Sequence, residues 1–118
     1  MKFDEIFKNN GKGTFEIFKS EKNNNFYFRL KAKNGEIVLK SEGYTSKQNC
    51  HKGIKAVQKY SYSTDNFIIH RRTEYHFEIV SNNNEVIGVG ETYKNLNVLL
   101  TGIYSVIRSA KNSVIKEI

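Results

Sequence analysis

From Phe26 to Lys33 the chain alternates between two kinds of side chain: Phe26, Phe28, Leu30 and Ala32 fall on one side, and Tyr27, Arg29, Lys31 and Lys33 on the other. That period of two marks a strand with one buried face. Asn34-Gly35 follows, the pair that a two-residue type I′ turn accepts at positive φ, and Glu36 to Glu42 supplies a returning strand. With that turn as the register, Ala32 pairs with Ile37, Leu30 with Leu39 and Phe28 with Ser41 on the inner face. Past Tyr44, Thr45 or Ser46 can cap a helix on which Cys50, Ile54 and Val57 share one side.

The same pattern then comes a second time. Asn34, Glu36, Glu42, Tyr44 and Gly53 recur 49 positions later as Asn83, Glu85, Glu91, Tyr93 and Gly102, and Phe28, Ile54 and Val57 recur as Phe77, Ile103 and Val106. An earlier strand follows suit, Phe15 and Ile17 matching Phe67 and Ile69 at a spacing of 52, so the second copy has the shorter first hairpin. The chain therefore reads as an α+β protein built from a tandem repeat of two β-β-β-α units, about 15–60 and about 67–110, after an N-terminal extension of 1–14. Its 118 residues suit a single domain. The second helix carries Leu99, Ile103 and Val106 and is expected to continue through Ala110, Val114 and Ile118. Phe3, Ile6 and Phe7, spaced as on a helix behind Asp4, suggest a small amphipathic piece in the extension. Gly53 and Gly102 sit in the middle of the two helices, where glycine costs about 1 kcal/mol relative to alanine, which points to close packing on the sheet.

These stretches resemble a known family. FEIFKS, then FYFRLKAKNGEIVLKSEGYTSK and GIKAV, look like the repeat of the YegP-like proteins, small bacterial proteins that carry the unit in tandem; FEIVSNNNEVIGVGETYKN is a similar but eroded copy, with Asn84 where glycine is usual. The resemblance implies one antiparallel sheet shared by both units, with helices packed against it and an exchange of helices between the units as an option. It implies no reaction, cofactor or catalytic residue.

Charge changes the picture only in part. The net charge is +7, and the excess lies in the first repeat: ten basic and four acidic residues from Phe15 to Tyr60, against four of each from Phe67 to Ala110. A basic protein attracts nucleic acid, yet 15 of the 19 basic residues are lysine, whereas arginine is preferred for forked phosphate contacts. A single cysteine, Cys50, excludes an internal disulfide and a CxxC motif. No apolar run approaches the roughly 18 to 20 residues needed to span a bilayer, and MKFDEIFKNN lacks the apolar stretch of a signal peptide, so the expected location is cytoplasmic with no membrane partner.

Three clusters are candidates for function. The outer face of the first hairpin shows Phe18, Tyr27, Arg29, Lys31, Val38 and Lys40; Tyr27, Arg29, Lys31 and Lys40 could stack bases and hold phosphates or another anion. The plainer expectation is that Arg29 pairs with Glu16 and that Tyr27 faces Glu42. In the second copy the outer face shows Ile68, Val80, Ile87 and Val89, apolar enough to need covering, by the N-terminal segment, by the C-terminal extension or by a second copy of the chain. Finally, His70 should face His76 across a hairpin with Glu91 beside them, a set that zinc or iron could use, although no metal site and no cofactor is assigned. Cys50 lies on the helical seam where the second copy has Leu99, as a core residue would. No nucleophile and base can be paired, so an enzyme is not expected. The expected function is a non-catalytic binding or protein-interaction module that self-associates as a homodimer or takes an unidentified protein partner. The alternative is a weak, sequence-tolerant nucleic-acid binder using the basic face of the first repeat.

Overall fold

The computed structural model describes residues 12–118. The piece expected at Phe3, Ile6 and Phe7 lies outside them. Strands β1 (Thr14–Lys19), β2 (Phe26–Lys31) and β3 (Ile37–Lys40) lead into helix α1 (Lys47–Tyr60). A short 3-10 turn (Thr64–Asn66) then opens β4 (Phe67–Arg71), β5 (Tyr75–Val80) and β6 (Val86–Val89), which lead into α2 (Leu96–Ala110) and a last strand, β7 (Val114–Glu117). All seven strands form one sheet in the order β4-β5-β6-β3-β2-β1-β7.

The two halves meet where β3 and β6 pair antiparallel, with Lys40 opposite Val89. These residues hold the same place in the two copies, 49 positions apart. A local two-fold relation therefore runs through the middle of the sheet and makes β1 and β4 its equivalent outer strands. Both helices pack on one face. Each touches strands of both halves: α1 lies on β1, β2, β5 and β6, and α2 on β1, β2, β3 and β5. The shared core joins Phe15, Ile17, Phe28 and Leu30 to Phe77 and Ile79, under Ile54 and Val57 of α1 and Leu99, Ile103 and Val106 of α2.

The caps follow local chemistry. Ser46 caps α1, its hydroxyl accepting from Asn49 N at 3.1 Å, and Asn95, 49 residues on, caps α2 by accepting from Val98 N at 2.9 Å. The turn after β2 departs from expectation. Ala32 N donates to Glu36 O at 2.8 Å around Lys33, Asn34 and Gly35, and of these only Gly35 has positive φ, at 88°. A three-residue loop with one left-handed position replaces the two-residue type I′ turn. Asn84 takes the same place in the second copy with φ 61°, which explains how the missing glycine is tolerated.

Each second hairpin also carries a bulge. Leu30 pairs with Leu39 but Lys31 with Ile37, and Ile79 pairs with Gly88 but Val80 with Val86, leaving Val38 and Ile87 as extra residues. Both extra residues join the core. Val38 and Ile87 thus leave the outer face on which strict alternation places them, and Ile37 does not pair with Ala32.

Two further corrections concern the C-terminus. The second helix does not run to Ile118: Asn112 turns left-handed at φ 56°, and the Ser113 hydroxyl donates to Ala110 O at 2.8 Å, stopping α2 at Ala110. The chain then extends as β7 along β1, with Thr14 opposite Val114 and Ile17 opposite Glu117. Because that pairing is parallel, the sheet is mixed rather than wholly antiparallel.

Candidate functional site

The face of the sheet turned away from the helices carries the residues that the sequence singles out. In the first half, Glu16 and Phe18 on β1 stand opposite Arg29 and Tyr27 on β2. Arg29 Nε donates to Glu16 Oε1 at 2.7 Å, and Lys31 Nζ lies 3.3 Å from the same oxygen. The Glu16 carboxyl is held below the usual carboxylate range by the Arg29 hydrogen bond; burial opposes that shift and Lys31 adds to it. The Arg29 guanidinium sits 4.9 Å from the centre of the Phe18 ring, and Phe18 stacks on Tyr27 at 5.9 Å. The Tyr27 hydroxyl accepts from Asn23 Nδ2 at 2.8 Å. Lys40 reaches across to Glu91 of the second half at 3.5 Å. Tyr27, Arg29, Lys31 and Lys40 are thus brought onto one face, with each of the three cations beside a carboxylate.

In the second half the equivalent rows differ in chemistry. His70 on β4 pairs with His76 on β5 as the spacing predicts, their rings stacked at 4.8 Å with planes 16° apart. The carboxylate that joins them is Glu78, whose Oε1 lies 2.5 Å from His70 Nε2. Glu91, expected beside His76, is the partner of Lys40 instead. Glu78 is outside the set that the spacing singles out, although the register that opposes His70 to His76 also sets it two residues along the same face.

The four apolar residues do not form one open patch. Val80 and Ile87 are 6% and 8% exposed, Ile87 within the core, and Val89 is half-buried. Ile68 stays open at 41%, and Ile69 beside it, which the sequence places inward, is 42% exposed because β4 lies at the margin of the sheet. The two margins are unequal. β7 covers β1, and Ile115 of that strand packs on the core, whereas β4 carries no further strand among the described residues.

Elsewhere the chemistry is quiet. Cys50 is fully buried, and burial pushes its thiol up to about 11, so it stays protonated and inert. A cleft of about 730 Å³ opens between the turn at Asn34–Val38 and α2, with Glu36, Glu91 and Arg108 in its lining and neither histidine nor cysteine. No helix among the described residues is long and apolar enough to cross a membrane.

Comparison with known proteins places this geometry. Residues 21–67 and 71–117 each match the family described as Domain of unknown function (DUF1508). The chain belongs to that family. It is 39% identical over 108 residues to UPF0339 protein YegP of Yersinia pestis, covering 90% of this chain and 96% of that protein. With UPF0339 protein YegP of Escherichia coli the identity is 35% over 109 residues, covering 89% and 96%. Two solution NMR structures share the fold. That of yegP from Escherichia coli matches with a TM-score of 0.83 at 34% identity, over 90% of this chain and 92% of that one. That of a UPF0339 protein from Shewanella oneidensis matches with a TM-score of 0.82 at 34% identity, over 89% and 90%. The double match agrees with the tandem repeat, and none of these descriptions indicates a catalytic family.

Proposed function

We propose that the chain is a non-catalytic interaction module that associates with a second copy of itself through the open β4 margin. The repeating unit behind it is strand-strand-strand-helix, with β7 an addition that, among the described residues, closes one margin only. The observation that carries the reading is the inequality of the margins. β1 has its backbone hydrogen bonds completed by β7, while among the described residues its two-fold equivalent β4 ends the sheet with Ile68 and Ile69 exposed. An outer strand with free N–H and C=O groups is a template for another strand unless proline, lysine or a cover blunts it. β4 contains neither proline nor lysine, and its one arginine, Arg71, stands at its end beyond Ile68 and Ile69. Antiparallel pairing of β4 with its own copy about Ile69 is self-complementary, as a two-fold interface requires.

Co-purification of an untagged copy with a tagged one, with and without nuclease, tests the reading. Retention that ignores nuclease is the expected result. Retention only without nuclease would favour the basic face of the first repeat and a nucleic-acid ligand.

A further inference from the structure

The two halves of the outer face differ by an inversion of charge. In the first half the row Glu16, Arg29 is an ion pair, next to the ring pair Phe18, Tyr27. In the second half Ile68 stands opposite Glu78, next to the ring pair His70, His76. The arginine has become a carboxylate, its acidic partner has become isoleucine, and the two aromatic rings have become imidazoles. Glu78 meets His70 Nε2 across the strands at 2.5 Å and lacks the permanent cross-strand cation that the fold provides in the other copy. Arg71 does not replace it: it alternates to the opposite face from His70, with its guanidinium 5.6 Å from the Tyr75 ring centre.

We infer that His70, His76 and Glu78 bind one divalent late-transition metal ion, of the zinc class, which takes the place of the missing cation. Each residue offers one ligand atom, and the three atoms lie within 4.8 Å of one another. Ligands bound at about 2.1 Å around a tetrahedral ion stand roughly 3.4 Å apart, so an entering ion must part His70 Nε2 from Glu78 Oε1, now 2.5 Å apart, and tilt the two stacked rings toward a common point, which their partly exposed positions allow. Two imidazoles and a carboxylate suit zinc and its neighbours and serve the hard cations magnesium and calcium poorly. His70 and Glu78 are 43% and 24% exposed, which gives the ion an entry path and leaves a fourth position for water. His51, the remaining histidine, lies on α1 beside Glu117, apart from this cluster.

The repeat supplies an internal control, because Phe18, Tyr27 and Arg29 at the equivalent positions offer no imidazole or carboxylate. Isothermal titration of the untagged chain with zinc chloride should therefore give one ion per chain, not two, at a dissociation constant on the order of micromolar, with magnesium failing to compete. His76→Ala and Glu78→Gln lie on β5, inside the sheet, and should each weaken zinc by about tenfold or more, while His51→Ala should leave it unchanged. Cobalt substitution gives a second readout, a visible absorption band that is present in the wild type and lost in His76→Ala. Should His76→Ala fail to fold, Glu78→Gln decides. No saturable zinc binding at about 100 µM protein, two ions per chain, or binding indifferent to both β5 changes would overturn the site.

Discussion

The phenol ring of Tyr44 lies against Gly53 of α1 so closely that a β-carbon at Gly53 would stand 2.7 Å from Tyr44 Cζ and 3.0 Å from Phe28 Cε2. Tyr93 repeats the relationship at Gly102 of α2. This is why two glycines persist in mid-helix: each admits the ring that follows its own third strand.

Alanine at Gly53 would gain about 1 kcal/mol of helix propensity, but overpacking costs typically about 1 to 3 kcal/mol. Tyr44 cannot easily withdraw. It stacks on Phe28 at 6.2 Å and exchanges two 2.7 Å backbone hydrogen bonds with Phe26. Gly53→Ala should therefore destabilise the protein, and Tyr44→Phe, which removes the hydroxyl, should recover part of the loss in the double variant. Urea unfolding of the wild type, the two single variants and the double variant measures this coupling. Strictly additive effects would mean that the ring does not press on the helix.

The Glu16–Arg29 pair sets a dependence on pH. Because the folded-state pKa of Glu16 is depressed, its contribution is fully present above the unfolded-state value of 4.5 and is lost as pH falls through the folded-state value. Glu16→Gln should cost about 1 to 2 kcal/mol at neutral pH, and its gap from the wild type should close in acid. Urea midpoints of both proteins across that range would show it. An unchanging gap would assign the loss to packing alone.

Single-stranded DNA and RNA test the alternative function. Arg29, Lys31 and Lys40 each stand within 3.5 Å of a carboxylate, so a phosphate must displace Glu16 or Glu91 to reach them. Labelled strands at low salt should show no saturable binding at tens of micromolar protein. Binding that falls steeply with salt and is abolished by Arg29→Glu would establish the basic face as a nucleic-acid interface.

Much of this architecture can be read from local pattern, because the cap at Ser46, the pairing of Leu30 with Leu39 and the opposition of His70 to His76 depend on neighbours in sequence. The bulges are harder. Ile37-Val38-Leu39 breaks alternation with three apolar residues in a row, which hints at an extra residue, but only the core shows that Val38 turns inward. β7 is ambiguous for a different reason. Ala110, Val114 and Ile118 are spaced as on a helix, and the stop at Asn112-Ser113 outweighs that spacing once β1 offers a free side. The attachment of Glu91 to Lys40 depends on the pairing of the two halves, which no local pattern encodes.

The open margin of β4 is the centre of the account, and sedimentation equilibrium over a range of micromolar concentrations tests it most directly. The wild type should fit a monomer–dimer equilibrium, and Ile69→Lys, which places a charge on the margin without touching His76 or Glu78, should sediment as a monomer while keeping its far-ultraviolet spectrum. A wild type that remains monomeric throughout, or a dimer that Ile69→Lys leaves intact, would contradict the claim that β4 is the joining strand.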